Sequence, residues 1–348
     1  MAFSQEIQDL TNSQIAPKIV DGILTGNSLA AFRFIGNGRK FRGYNNPVEI
    51  KYQKSSLGGS YSGMGNFSTN VEANTVKATW DPKSYAMPVT MANLPVAVNK
   101  NDGIVDYIKY RMDSAKQDML DDIGTMFYGT GAGNDFDGLA KIIDDGSVSA
   151  TYAGLTRSSY DSLDGNITTS IGTLTLDHLA ASVDAVSIGA EVPTLIITTK
   201  AIFSIIERLL FPTTQSQYNA GAGYGMLTRR GFESNSKGLN GELGFRSISY
   251  RGIPIVVDEK CTSGYIYYLN EKGLYWAALP HPVHGQVNLG VSTIDSPTGN
   301  APSGNHGIAW TGLKEPINAD GQTGQFLLYG QLICEQPRYQ ACDQGVTG

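Results

Sequence analysis

Apolar side chains recur between residues 104 and 128 at Ile104, Ile108, Met112, Ala115, Met119, Ile123 and Met126, in steps of four, four, three, four, four and three. That spacing is one face of a helix. Asp102 stands where a side-chain oxygen can accept an orphan backbone N–H, and Gly129, Gly131 and Gly133 supply the stop. At 1.5 Å per residue the rod spans roughly 37 Å. Asp106, Lys109, Asp113, Lys116 and Asp121 occupy the opposite face, which meets solvent or another chain. No other stretch is as long or as periodic, so this helix is the expected spine.

The rest of the chain carries shorter signals. Residues 1–30 are polar with a weak helical rhythm (Ile15, Ile19, Ile23), Ser13 as cap and Pro17 in the first turn. Such a segment is a poor core helix and suits an arm lying on something else. Residues 31–54 look strand-like, with two alternating runs around the turn signal Asn45-Asn46-Pro47. Glycine, serine, asparagine and threonine fill 55–75 before strand signal returns, so 39–90 predicts a long two-stranded excursion with a flexible tip.

After the spine come a glycine turn, a short amphipathic piece over Leu139–Ile143, and a loop-like stretch at 147–172. Leu176, Leu179, Val183 and Val186 mark a helix, and 191–199 (EVPTLIITT) a buried strand. A second helix buries Ile202, Ile205, Ile206 and Leu209, capped by Thr198 or Thr199. Residues 212–244 are polar and small. Two strand pairs follow, within 245–260 and within 264–280, the latter turning at Asn270 to Gly273. A polar loop is expected at 295–325, and 326–341 (FLLYGQLICEQPRYQA) supplies a main strand of a sheet. There is no internal repeat and no clean linker.

Composition shifts this picture towards an assembly. Charged residues make up 17% of the chain, against about 25% in typical soluble domains. Glycine numbers 41 of 348 residues, well above the usual ~7%. Such a chain has much irregular backbone and much surface that need not repel a neighbour. Its 348 residues suit two domains or one large one, and 41% hydrophobic content suffices for a sizeable core. The net charge of −6 does not favour nucleic acid in bulk. No charge-free apolar run reaches the ~18 residues of a membrane span. MAFSQEIQDL lacks the basic and apolar regions of a signal peptide. Cys261, Cys334 and Cys342 then read as free thiols in a reducing compartment, and the sequons at Asn66 and Asn166 as chance.

Candidate chemistry is thin. Gly129-Thr130-Gly131-Ala132-Gly133 follows a helix instead of a strand, and no Gly-Lys-Ser/Thr follows it, so it is a turn before it is a phosphate loop. Asp135-Phe136-Asp137-Gly138 hints at calcium, but position twelve from Asp135 is Gly146 where a bidentate glutamate is needed. His281 and His284 flank Pro282 with no cysteine or acid adjacent, while His178 and His306 stand alone. Gly59-Ser60-Tyr61-Ser62-Gly63 puts tyrosine where a nucleophile elbow needs serine. Arg33, Arg39, Lys40 and Arg42, interleaved with Phe32, Phe34, Phe41 and Tyr44, could meet nucleic acid. A strand edge whose cations meet a neighbouring subunit's carboxylates is the favoured reading. No catalytic, cofactor or metal residue is assigned.

Four local features, in order, resemble the major capsid protein of tailed double-stranded DNA bacteriophages, whose fold is shared with encapsulin shells and the herpesvirus capsid floor. They are the spine helix running into Gly129–Gly133 and Gly138-Leu139, the strand-then-helix PTLIITTKAIFSIIERL, the strand from Tyr250 through Gly252, Ile253 and Pro254 to Asp258, and a terminal strand with Cys334, Glu335 and Arg338. The resemblance implies an α+β fold. It divides the chain into an N-terminal arm (1–38), an extended loop (39–90), a peripheral domain with the spine (91–185), an axial domain (186–319) and a terminal strand returning to the peripheral domain (320–348). It further implies a non-catalytic subunit, assembled in the host cytoplasm into hexamers and pentamers of an icosahedral virion shell. That shell would enclose DNA without sequence-specific binding, with no cofactor and no membrane, and with separate scaffolding, portal and decoration proteins. No charged coiled segment precedes the arm, so a fused scaffolding region is not expected. Some relatives weld their shells through Lys–Asn bonds, for which Lys51, Lys54 and Lys77 are placed, though no partner is assigned. The alternatives are an encapsulin-like compartment holding protein cargo and, from another class, a metal-dependent hydrolase using Asp135, Asp137, His281 and His284.

Overall fold

The computed structural model describes residues 29–36, 38–65, 70–94, 104–210, 248–282, 306–317 and 320–347. The predicted spine is a helix over Ile104–Tyr128. Ile108, Met112, Ala115, Met119 and Ile123 are buried along one face. Lys109, Asp118, Asp121 and Asp122 are exposed on the other, with Asp113 and Lys116 half-exposed. The expected cap, Asp102, lies outside the described residues.

The glycine turn folds back onto the end of the helix. A Cβ on Gly138 would collide with the carbonyl oxygens of Met126 and Gly129, so only glycine allows this approach. Gly131 has φ +68°, and a Cβ there would sit 2.7 Å from Asp137 Oδ1. Gly138 leads into Leu139–Ile142, a short helix whose Leu139 and Ile142 are buried.

Two sheets carry the fold. In the first, the long strand Gly321–Cys334 is central. Lys83–Ala92 runs antiparallel beside its first ten residues, and its odd-numbered side chains face the spine helix: Val89 and Met91 are buried and Tyr85 Oη donates to Asp122 at 2.7 Å. On the other side of the long strand lie Ile308–Trp310 and Leu274–Ala278, with Arg39–Lys40 parallel to the latter. The second sheet has the order Ile248–Tyr250, Ile253–Val257, Leu195–Thr198, Ile266–Leu269, Ala341–Asp343, Asn166–Thr168. Leu195–Thr198 is buried at every position, as its β-branched run requires. Helices Leu176–Val186 and Lys200–Leu210 pack Leu179, Val183, Val186, Ile202 and Ile206 into a second apolar cluster with this sheet.

Several sequence expectations change. Residues 29–36 are helix, not strand. Phe32 and Phe34 are buried together with Ala31 and Ile35, so the apparent alternation is a helix buried nearly all round. Its Arg33 reaches out to Glu271, at 2.6 Å from Nε. Of the segment given to the arm, 1–28 lies outside the described residues and 29–36 is core. Within 39–90 the two-stranded ladder is Val48–Lys51 with Thr75–Ala78, whereas Lys83–Ala92 belongs to the spine's sheet. The loop expected at 295–325 holds strand Ile308–Trp310 and the start of the long strand. The polar stretch 212–244 lies outside the described residues.

The turn at Asn270–Gly273 is real but makes no hairpin. Ile266–Leu269 ends in the second sheet and Leu274–Ala278 begins in the first. The chain crosses back through 335–340, and the two crossings are tied: Asn270 N donates to Gln340 Oε1 (2.7 Å), Gln340 Nε2 to Asn270 O (3.1 Å), and Glu335 N to Gly273 O (2.9 Å). Residues on both sides of 185 and of 319 thus contribute strands to each sheet.

Candidate assembly surfaces

The excursion is anchored at its base and bare beyond it. Ala78 and Trp80 are buried, Thr79 N donates to Ala153 O (2.9 Å) and Trp80 N to Asn45 O (2.9 Å). Tyr52 meets Tyr160 edge-on at 5.0 Å. Past the ladder, shape comes from polar contacts: the Glu72 carboxylate accepts from Ser55 Oγ (2.8 Å), Ser56 N (2.9 Å) and Ser56 Oγ (2.6 Å). Those bonds, the Ser56 hydroxyl first, hold its pKa below the ordinary carboxylate value. Several large apolar side chains here are exposed. Leu57 is 39% exposed, Tyr61 65%, and Met64 and Val71 fully so. Large apolar groups gathered on a polar loop mark a contact surface better than a free one. Lys51, Lys54 and Lys77 are exposed on the same excursion, Lys77 across the ladder from Glu49.

The residues weighed for chemistry do not converge. Asp135 is exposed, while Asp137 is buried and takes the Lys141 ammonium at 2.7 Å. His281 stacks on Tyr329 at 5.2 Å, and His284 lies outside the described residues. Among the described residues no group of three or more His, Cys, Asp or Glu side chains could hold a metal ion. His306 is not incidental: it is buried, its Nδ1 accepts from Ile308 N (2.9 Å) and its carbonyl from Trp276 Nε1 (3.3 Å). Gly59–Gly63 lies on the exposed excursion. Burial pushes the Cys334 thiol up to about 12 and raises those of Cys261 and Cys342 further. All three cysteines are free and buried, so they remain protonated fillers.

The cation–aromatic run divides between core and surface. Phe32, Phe34 and Phe41 are core, with Phe34 stacked on Phe127 at 5.8 Å. Arg39 lies over the Tyr275 ring at 4.2 Å and is exposed, as are Lys40, Arg42 and Tyr44. No stacking platform for bases results. No described helix is long and apolar enough to cross a membrane.

Sequence reading missed the polar hubs. Arg157, 1% exposed, donates to the carbonyls of Leu163, Lys141 (2.6 Å) and Ile142 (3.2 Å) and lies 4.0 Å from the buried Asp144. Asp144 in turn caps Val148 N (3.1 Å) and Ser149 N (2.7 Å). Asp258 accepts from Ala30 N (3.3 Å), Tyr128 Oη (2.9 Å) and Lys260 N (2.9 Å), joining the first described helix to the end of the spine. The loop-like composition around Arg157 gave no sign of burial.

No family model and no curated protein matches the sequence. Solved structures do. The chain is similar to the capsid asymmetric unit of cyanophage A-1(L), with TM-score 0.59 and 16% identity over 93% of this chain and 96% of that one. It is similar to the capsid of a native GTA particle, at 0.52 and 10% identity over 91% and 90%. The capsid of Myoviridae phage XM1 matches at 0.50 and 8% identity over 90% of each chain. The α+β fold of tailed-phage major capsid proteins, read from the order of elements, is the fold of this chain.

Proposed function

We propose that the chain is a structural, non-catalytic shell subunit. Copies would close into hexamers and pentamers, and these into an icosahedral virion capsid around double-stranded DNA held without sequence-specific contacts. The excursion carries this reading. It is anchored at its base and exposes Leu57, Tyr61, Met64 and Val71 beyond it, in a chain with the shell fold. A monomer has no use for such a surface, whereas a second copy covers it.

The reading keeps the order of the five parts, with 1–28 as arm and the ladder and tip of 48–78 as loop, while helix Leu29–Gly36 and strand Lys83–Ala92 join the core. The spine and its sheet serve as the peripheral unit, the second sheet as the axial unit, and the long strand returns to the first. Scaffolding, portal and decoration functions fall to separate proteins, and assembly to the host cytoplasm. The test is the content of particles purified after expression during infection. Nuclease-protected double-stranded DNA is the expected content. Particles holding a protein cargo and no DNA would make the subunit an encapsulin-like compartment instead.

A further inference from the structure

The strand Lys83–Ala92 is ten residues long and pairs along its whole length with the long strand, residue by residue from Gly321↔Ala92 to Gly330↔Lys83. Which backbone groups point where follows from the far side of the long strand. Thr311 N donates to Gln325 O (3.1 Å), Gln325 N to Thr311 Oγ1 (2.9 Å), and Thr323 and Lys314 exchange both bonds at 2.8 Å. The odd-numbered residues of the long strand therefore turn their amides away from Lys83–Ala92. Gln325 is the partner of Pro88 and Thr323 of Thr90, so these are non-hydrogen-bonded pairs. Ser84, Ala86, Pro88, Thr90 and Ala92 consequently direct their backbone groups to the outer edge. All five are exposed, and no backbone partner meets them among the described residues.

A long, flat, unpaired edge is a template for another strand, and proteins blunt it with lysine, proline, bulges or short length. Here the register is continuous without a bulge. The outward positions are small and uncharged. Lys83, at the strand's end, turns its ammonium to Gly133 O at 3.0 Å. What remains is Pro88, the central one of the five outward positions.

That position matters most for one partner, a second copy of the same edge. Pairing about a two-fold axis sets identical patches against each other. Antiparallel edges centred on residue 88 would oppose Ala86 to Thr90, Ser84 to Ala92, and Pro88 to itself. Two prolines at the centre remove both bonds of that pair and place two rings in contact. We propose that Pro88 guards this edge, keeping copies from pairing strand to strand outside their proper assembly. The edge and its pairing stand on the register alone, and only the notion of a proper assembly rests on the shell reading.

Three proteins tested at equal concentration decide it: the natural chain, Pro88→Val, and Pro88→Val with Ala86→Lys. Valine restores the amide and favours strand. With the central pair complete, edge association should tighten roughly tenfold or more, seen as non-shell material that pellets at low speed. Hydrogen exchange should be fast at Ser84, Ala86, Thr90 and Ala92 in the natural dissociated subunit, slow at Tyr85, Met87, Val89 and Met91, and slow at both sets in associated P88V. The added lysine should restore dispersal. Unchanged association of P88V overturns the proposal, as does aggregation that A86K leaves in place. Slow exchange at the outward amides of the natural subunit would overturn it without any variant, by showing the edge already covered.

Discussion

Asp258 shows what a single buried carboxylate holds. It takes the Ala30 amide, the Tyr128 hydroxyl and the Lys260 amide, and its removal strands donors that water cannot reach. Asp258→Ala is expected to cost about 3 kcal/mol, read as a lower denaturant midpoint at unchanged slope. Asp343 makes a different prediction. It accepts from Ser182 Oγ (2.8 Å) and Tyr268 Oη (2.9 Å), yet burial raises its pKa above the ordinary carboxylate value. A carboxyl raised on folding contributes stability that is present at low pH and lost as pH rises through the folded pKa. The stability of the natural protein relative to Asp343→Asn should therefore increase as pH falls from about 7 towards about 4. A difference that is flat, or moves the other way, would mean the carboxylate is better solvated than its burial indicates. Neither residue was legible in the sequence. An aspartate in DEK or CDQ looks like any solvated acid until distant segments close over it.

The elements themselves were legible where one physical signal dominated. The spine has a single apolar face and a glycine stop, and the structure follows both. Met119→Asp would bury a charge on that face at a cost of several kcal/mol, and insoluble protein is the expected result. Asp113→Ala, half-exposed on the opposite face, should leave the melting temperature nearly unchanged. Equal tolerance of the two substitutions would place the helix the other way round. Less was legible where two structures share one signal. Phe32-Arg33-Phe34 alternates like a strand but is helix, because Arg33 can leave a buried segment along its aliphatic stem to reach Glu271. Asn270–Gly273 has the chemistry of a hairpin turn, and only the Gln340 side chain across from it makes it a crossing between sheets. The excursion's exposed apolar side chains predict a separation of folding from assembly. Leu57, Met64 and Val71 changed together to serine should alter protomer stability by no more than ~0.5 kcal/mol, while sharply reducing the yield of assembled particles in sedimentation.

At the scale of the whole molecule, several exposed charges are paired within the subunit. Arg251 binds Asp184, Lys260 binds Asp121 and Lys272 binds Glu191. The chain as a whole is glycine-rich and poor in charge, so contacts between copies should draw their strength mainly from buried area and hydrogen bonds. Particles are therefore expected to remain intact in ~1 M salt, where screening reaches within about 3 Å, as counted by light scattering across a salt series. Dissolution by salt would assign the shell to intersubunit ion pairs. The central claim, that this chain builds a closed container through its excursion, is tested most directly by cryo-electron microscopy of the purified protein. The expected result is closed shells of uniform size, with density for residues 57–71 lying on a neighbouring subunit. Dispersed monomers at high concentration, or shells in which that segment contacts only its own subunit, would contradict it.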